Sequence, residues 1–252
     1  HLASSAASDV YKRQDYFVND AFSCSHRKHS STVGVTNFLP SFMGTHLEKE
    51  IKALEGVLNN PNKPVAAIIG GSKVSTKIDV INFLLKKMDI IIIGGAMANT
   101  FVAAKGLDVG ASLFEKECID FAKELIEKSQ NNNCNLILPT DFIVSKNLKK
   151  NAEYTTANFD SLPHNMMALD IGPKSIELIN KNINNCKTIL WNGPLGAFET
   201  YPFDKGTNKV ASYVSSLTKQ KKILSVAGGG DTVSALNLSL IHISEPTRRH
   251  LI

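Results

Sequence analysis

Runs of consecutive apolar residues recur along the chain, and each ends in glycine, proline, asparagine or aspartate. Residues 65–69 lead into Gly70-Gly71, residues 90–93 into Gly94-Gly95, and residues 136–138 into Pro139-Thr140-Asp141. Residues 166–169 lead into Asp170-Ile171-Gly172-Pro173, residues 188–191 into Asn192-Gly193-Pro194, and residues 223–227 into Gly228-Gly229-Gly230. Continuous rather than alternating apolar runs predict strands covered on both faces. Helical spacing lies between them, at Val74, Ile78, Ile81 and Leu85 within 74–87 and at Ile119, Ala122, Leu125 and Ile126 within 115–129. Six such runs alternating with helices predict an α/β fold, a doubly wound parallel sheet. Upstream, residues 16–22 read as a short strand running into a polar turn. Leu47, Ile51, Leu54 and Leu58 then mark an amphipathic helix that stops in the turn cluster 59–62.

The turn-forming residues gather after the strands, the edge of such sheets where ligands bind. Gly228-Gly229-Gly230-Asp231-Thr232 combines bare backbone N–H groups with the start of a helix, which makes a phosphate cradle. Asp231 would meet a Mg²⁺ riding on that phosphate; the other reading is a Gly-rich turn with a helix cap. In Gly70-Gly71-Ser72-Lys73-Val74-Ser75-Thr76-Lys77 the two lysines sit four apart at a helix start, so both point to one face. They suit a polyphosphate, or else form an ordinary solvated face. Arg27, between His26 and His29, suits an anionic small molecule or a solvated loop. The fingerprints GxGxxG and GxxxxGK[ST] are absent, which counts against a standard dehydrogenase and a P-loop ATPase.

Composition narrows the picture. The 252 residues are 43% hydrophobic and 20% charged, ordinary for a globular chain. The net charge of +5 comes without a basic arm, so no nucleic-acid partner is expected. No apolar stretch has the length of a membrane span, so no membrane partner is expected either. The four cysteines are scattered without a CxxC pair, which fits free thiols in a reducing compartment.

The two ends carry no fold signal. Residues 9–14 can be encoded by a DNA word whose reverse complement encodes residues 238–243. An inverted word at both flanks matches a translated transposase-end adapter from sequencing-library preparation. Residues 1–14 and 238–252 are therefore expected to be non-native tails, with both ends of the natural protein missing.

Six motifs carry a resemblance over residues 15–237. They are Phe17-Val18-Asn19-Asp20-Ala21-Phe22 with His26-Arg27-Lys28-His29-Ser30; Gly70-Gly71-Ser72-Lys73-Val74 with Lys77; Gly94-Gly95-Ala96-Met97-Ala98; Leu169-Asp170-Ile171-Gly172-Pro173; Trp191-Asn192-Gly193-Pro194-Leu195-Gly196-Ala197-Phe198-Glu199; and Gly228-Gly229-Gly230-Asp231-Thr232. In this order they resemble phosphoglycerate kinase. The resemblance implies two Rossmann-like domains joined by a helix: a remnant of the 3-phosphoglycerate domain at 15–42, the connector at 43–60, and a nucleotide domain at 61–237. It implies phosphoryl transfer between 1,3-bisphosphoglycerate and ADP, with Mg²⁺ as cofactor and ATP or ADP as substrate. Arg27 would grip the phosphate of 3-phosphoglycerate. Lys73 and Lys77 would be catalytic, on the nucleotide phosphates and the transferring group. Gly71, Gly94, Gly95, Asn192 and Pro194 would contact nucleotide, Glu199 its ribose, and Gly229, Gly230 and Thr232 its phosphates, with Asp231 as the metal ligand. A cytoplasmic, glycolytic monomer is implied. Ser23 stands where the family usually has glycine. With upstream substrate residues and a Gly-rich C-terminal stretch missing, the chain as it stands is expected to hold nucleotide with negligible turnover.

Overall fold

The computed structural model describes residues 14–25, 27–59 and 61–240. His26 and most of the two tails lie outside those residues. The chain divides into two compact units between Gly56 and Val57.

In the first unit, β1 (Phe17–Asn19) pairs in parallel with β2 (Ser41–Met43). Asp20 follows β1 and serves as an N-cap from a distance. Its Oδ1 accepts from the backbone N–H of His46 at 2.7 Å and of Leu47 at 3.0 Å, in the first turn of α1 (Thr45–Leu58).

The second unit is built on a five-stranded parallel sheet. In chain order its elements are β3 (Val65–Ile69), α2 (Ile78–Leu85), β4 (Ile90–Ile93), α3 (Met97–Ala104), α4 (Ile119–Asn131) and β5 (Asn135–Ile137). After three further strands come α5 (Pro173–Ile183), β9 (Thr188–Asn192), α6 (Lys205–Lys219), β10 (Leu224–Gly228) and α7 (Gly230–Leu240). The spatial order is β10-β9-β3-β4-β5. Successive side chains on a strand point to opposite faces, and both faces here are apolar. Val65, Ala67 and Ile69 join Phe101, Leu85 and Leu125 in one core. Ala66 and Ile68 join Ile183, Val210 and Trp191 in the other. Helices thus cover both faces, as the uninterrupted apolar runs predict.

One run departs from that prediction. Residues 166–169 become β8 (Met167–Ile171), which belongs to a separate three-stranded antiparallel sheet with β6 (Asp141–Ser145) and β7 (Thr155–Asn158), in the order β7-β6-β8. Only residues 138–140 separate β5 from β6. A parallel crossover takes a dozen or more residues, so β6 cannot join the main sheet in parallel, and the chain starts the second sheet instead.

Two helices start later than the spacing predicts. α2 begins at Ile78, not Val74, because Glu115 holds Ser75 through its N–H and hydroxyl and Thr76 bonds back to the Lys73 carbonyl. Such local bonds compete with helix. Lys73 and Lys77 therefore do not share a helix face. α4 begins at Ile119, after a 3₁₀ turn over Lys116–Cys118.

Phe101 is fully buried at the centre of the first core. Phe101→Ala should lower the unfolding free energy by about 3–5 kcal/mol, read from the urea midpoint at unchanged slope.

Candidate functional site

Four parallel strands of the main sheet stop level with one another. Ile69 lies opposite both Ile93 and Asn192, and Asn192 lies opposite Gly228. The turns that follow are 70–71, 94–95, 193–196 and 229–230, so register alone brings four of the six sequence motifs to one rim.

Backbone bonds lock these turns together. The Gly70 N–H donates to the Asn192 carbonyl at 2.9 Å, Gly71 N–H to the Pro194 carbonyl at 3.0 Å, Gly95 N–H to the Leu195 carbonyl at 2.9 Å and Met97 N–H to the Gly71 carbonyl at 3.0 Å. Such close approach explains the glycines. Gly95 has φ +68°, and a Cβ on it would fall 2.5 Å from the Gly71 carbonyl oxygen.

Lys77 and Asn192 form the centre of the rim. Lys77 Nζ donates to the Gly70 carbonyl at 2.7 Å, to the Asn192 carbonyl at 3.2 Å and to Asn192 Oδ1 at 2.6 Å. The three donors of an ammonium are thereby used, so an incoming phosphate oxygen must displace one partner. Burial lowers the Lys77 pKa, and the Asp231 carboxylate acts against that shift. Asn192 Nδ2 donates to the Gly228 carbonyl at 2.9 Å, and the Gly193 N–H donates to Thr232 Oγ1 at 2.6 Å. Thr232 is buried, whereas Asp231 is exposed in the first turn of α7. The first N–H groups of a helix have no intrahelical acceptor, so this turn offers donors beside a carboxylate.

A cavity of about 350 Å³ opens along the rim. Gly71, Gly95, Pro194, Glu199 and Asp231 line it, together with the apolar side chains of Leu113, Leu148, Met167, Leu169 and Phe198. An apolar slot with polar groups at its edge suits a flat base joined to phosphates. Lys77, Asn192, Gly229 and Thr232 are tied to this cavity by the bonds above and by the close approach of Gly229 to Asn192. Lys73 is exposed on the loop before α2 and does not line the cavity, Gly94 is packed beneath it against Leu195, and Gly230 opens α7. Arg27 belongs to the first unit, on an exposed turn whose carbonyl accepts from the Thr32 hydroxyl at 2.7 Å.

The family model for phosphoglycerate kinase matches residues 3–245. The chain belongs to the phosphoglycerate kinase family. The phosphoglycerate kinase of Brucella melitensis biotype 1 is 51% identical over 223 residues, which cover 88% of this chain and 56% of that protein. That of Rhizobium meliloti is 48% identical over the same shares. Among solved structures, the phosphoglycerate kinase from Coxiella burnetii matches with a TM-score of 0.82 at 40% identity, covering 92% of this chain and 59% of that one. The chain thus spans a little over half the length of the phosphoglycerate kinases it matches.

Asp170 supports the site, although the sequence of the 169–173 motif assigns it no role. Its carboxylate is buried; Oδ1 accepts from the Ile171 N–H at 2.9 Å and Oδ2 from the Gly206 N–H at 2.6 Å. Gly196, in the cavity wall, packs directly on it, and a Cβ there would run into Oδ1. The wall is pinned further by Ala197 N–H to the Leu169 carbonyl at 2.8 Å and Leu195 N–H to Thr207 Oγ1 at 3.0 Å. The apolar wall residues were missed because their only signal is hydrophobicity, which also marks the core.

Burial pushes Asp170 up to about 8, against the bonds from Gly206 and Ile171. The folded chain therefore holds this proton where the unfolded chain releases it. Its contribution to stability is full below about pH 4 and is lost as pH rises to about 8. Urea melts across that range should show a flatter fall for Asp170→Asn than for the parent, by up to about 1.4 kcal/mol per pH unit. Parallel pH dependences would remove Asp170 from this role.

Proposed function

We propose that this protein catalyses reversible phosphoryl transfer between 1,3-bisphosphoglycerate and ADP, giving 3-phosphoglycerate and ATP, as a monomer of cytoplasmic glycolysis. The observation that carries this reading is the level ending of four strands, with Lys77, Asn192 and Asp231 at the common rim beside an apolar slot. The base would occupy the slot, Glu199 at its mouth would meet the ribose, and the phosphates would run toward Lys77 and the start of α7.

Mg²⁺ fits the donors present. Among the described residues there is no cluster of three or more His, Cys, Asp or Glu able to cage a metal. A lone exposed carboxylate beside a phosphate site suits Mg²⁺, which keeps waters and shares its sphere with phosphates. Held by Asp231, it would neutralise phosphate charge. The remaining work falls to the chain. Phosphoryl transfer asks for charge neutralisation and in-line placement rather than a side-chain nucleophile. Lys77 exchanges a backbone carbonyl for a phosphate oxygen, Lys73 brings a second ammonium from the loop, and the N–H groups of α7 orient the chain of phosphates. Arg27 would hold the phosphate of 3-phosphoglycerate. Among the described residues no helix is long and apolar enough to cross a membrane. Small molecules are the partners this reading proposes, with neither a membrane nor a nucleic acid among them.

A second reading concerns the 252-residue chain used by itself. It covers 56% of the length of its Brucella relative, and we read it as an ATP- or ADP-binding module without turnover, flanked by foreign tails.

In a coupled assay on the protein with native ends restored, Lys73→Ala should lower kcat by about 10²–10³-fold, the effect of losing one preorganised donor. Undiminished kcat would remove Lys73 from catalysis. The 252-residue chain should bind MgADP in calorimetry yet give no rate in that assay; strong turnover by it would overturn the module reading.

A further inference from the structure

Residues 112–115 form a strap between the two halves of the cavity. The Ser112 hydroxyl accepts from the Ala168 N–H at 2.8 Å, and the Leu113 carbonyl accepts from Asn99 Nδ2 at 3.0 Å. The Glu115 N–H donates to Thr100 Oγ1 at 3.0 Å. Ser112, Asn99 and Thr100 are all buried, so the strap is anchored on the rigid body of α3 and β8. Leu113 and Ala168 line the apolar slot. At its far end the strap reaches the loop that carries both lysines. Glu115 Oε2 accepts from the Ser75 N–H at 2.9 Å, and Oε1 accepts from the Ser75 hydroxyl at 2.5 Å.

Ser75 lies midway between Lys73 and Lys77, and Val74 beside it is fully buried. A carboxylate is the one side chain that offers two charged acceptors to an N–H and an O–H on the same residue. Burial raises the Glu115 carboxyl, but the bonds from Ser75 and Val74 and the nearby Lys73 charge prevail and hold it below the usual range. The N–H groups at this turn are thus occupied by a protein anion. The Val74 and Ser75 N–H groups are therefore not free for phosphate, and the charged donors that this loop offers a nucleotide are the Lys73 and Lys77 ammonium groups.

We propose that Glu115 is a positioning residue of the nucleotide site: by clamping Ser75 it sets where the Lys73 and Lys77 ammonium groups stand against the phosphates. The inference rests on the reading of the rim as a nucleotide-phosphate site. It predicts a selective effect, on phosphates and not on the base.

The test is calorimetry on the full 252-residue chain with MgATP and, separately, with adenosine. Glu115→Gln should weaken MgATP about tenfold, a loss expected when a charge-assisted pair of bonds is removed, and leave adenosine binding unchanged. In a double-mutant cycle the same substitution should cost less in a Lys73→Ala background, because its effect passes through that lysine. A purely structural strap would weaken both ligands alike and show additive effects; either result, or unchanged MgATP affinity, overturns the proposal. Should Glu115→Gln melt early, Ser75→Ala makes the same comparison from the other side of the clamp, with the same two outcomes. A parent chain that binds adenosine but not MgATP would refute the phosphate-site reading itself, and this inference with it.

Discussion

Asn192 ties three other stretches of chain, at residues 69–70, 77 and 228, to one point. Its carbonyl receives the Gly70 N–H, its side-chain oxygen receives Lys77, its amide donates to Gly228, and its backbone sits in register between Ile69 and Gly228. A single carboxamide can do this because it both donates and accepts. Hydrophobic burial on both faces builds the sheet, but burial alone is indifferent to where each strand ends. The polar junction at Asn192 fixes that, and with it the level rim on which a ligand could rest. The arrangement costs the glycines their freedom: side chains at 70, 94, 95 or 193 would collide with neighbouring backbone or with Leu195 or Lys77.

Much of this was legible from residues alone. Unbroken apolar runs at 65–69, 90–93 and 188–191 announced strands buried on both faces, and the Gly-Gly and Gly-Pro steps after them marked the side of the sheet that matters. What stayed hidden was non-local. β8 looks in the sequence like the other strands, and only the short link between β5 and β6 tells that the chain has turned away from the parallel sheet. The helical spacing from Val74 onward was sound as a pattern. It was overridden by Glu115, forty residues away, bonding to Ser75. Lys77 was placed by its motif, but its attachment to Asn192 is a contact across 115 positions of sequence.

The antiparallel sheet is more than an appendage to the parallel one. β8 supplies Met167, Ala168 and Leu169 to the slot and Asp170 to the back of its wall, and Ser112 and Gly206 each bond to it. The apolar half of the cavity is therefore built largely from this small sheet and the wall it supports, while the polar half is built from the ends of the large one. Two sheets with separate hydrogen-bond ladders meet at the cavity, held together there by the bonds from Ser112, Ala197 and Gly206 to β8.

The chain has a single tryptophan, and it stands in β9 immediately before Asn192. Trp191 is buried in the second core while its indole N–H donates to the Gly193 carbonyl at 2.7 Å. The ring is thus packed among aliphatic groups at one edge and bonded at the other to the backbone that a nucleotide would press upon. Excitation at the red edge of the near ultraviolet selects this ring over the five tyrosines, and its emission would respond to a change of polarity at its bond to Gly193. A ligand pressing on the rim would thus be visible in the light of this residue, without any label.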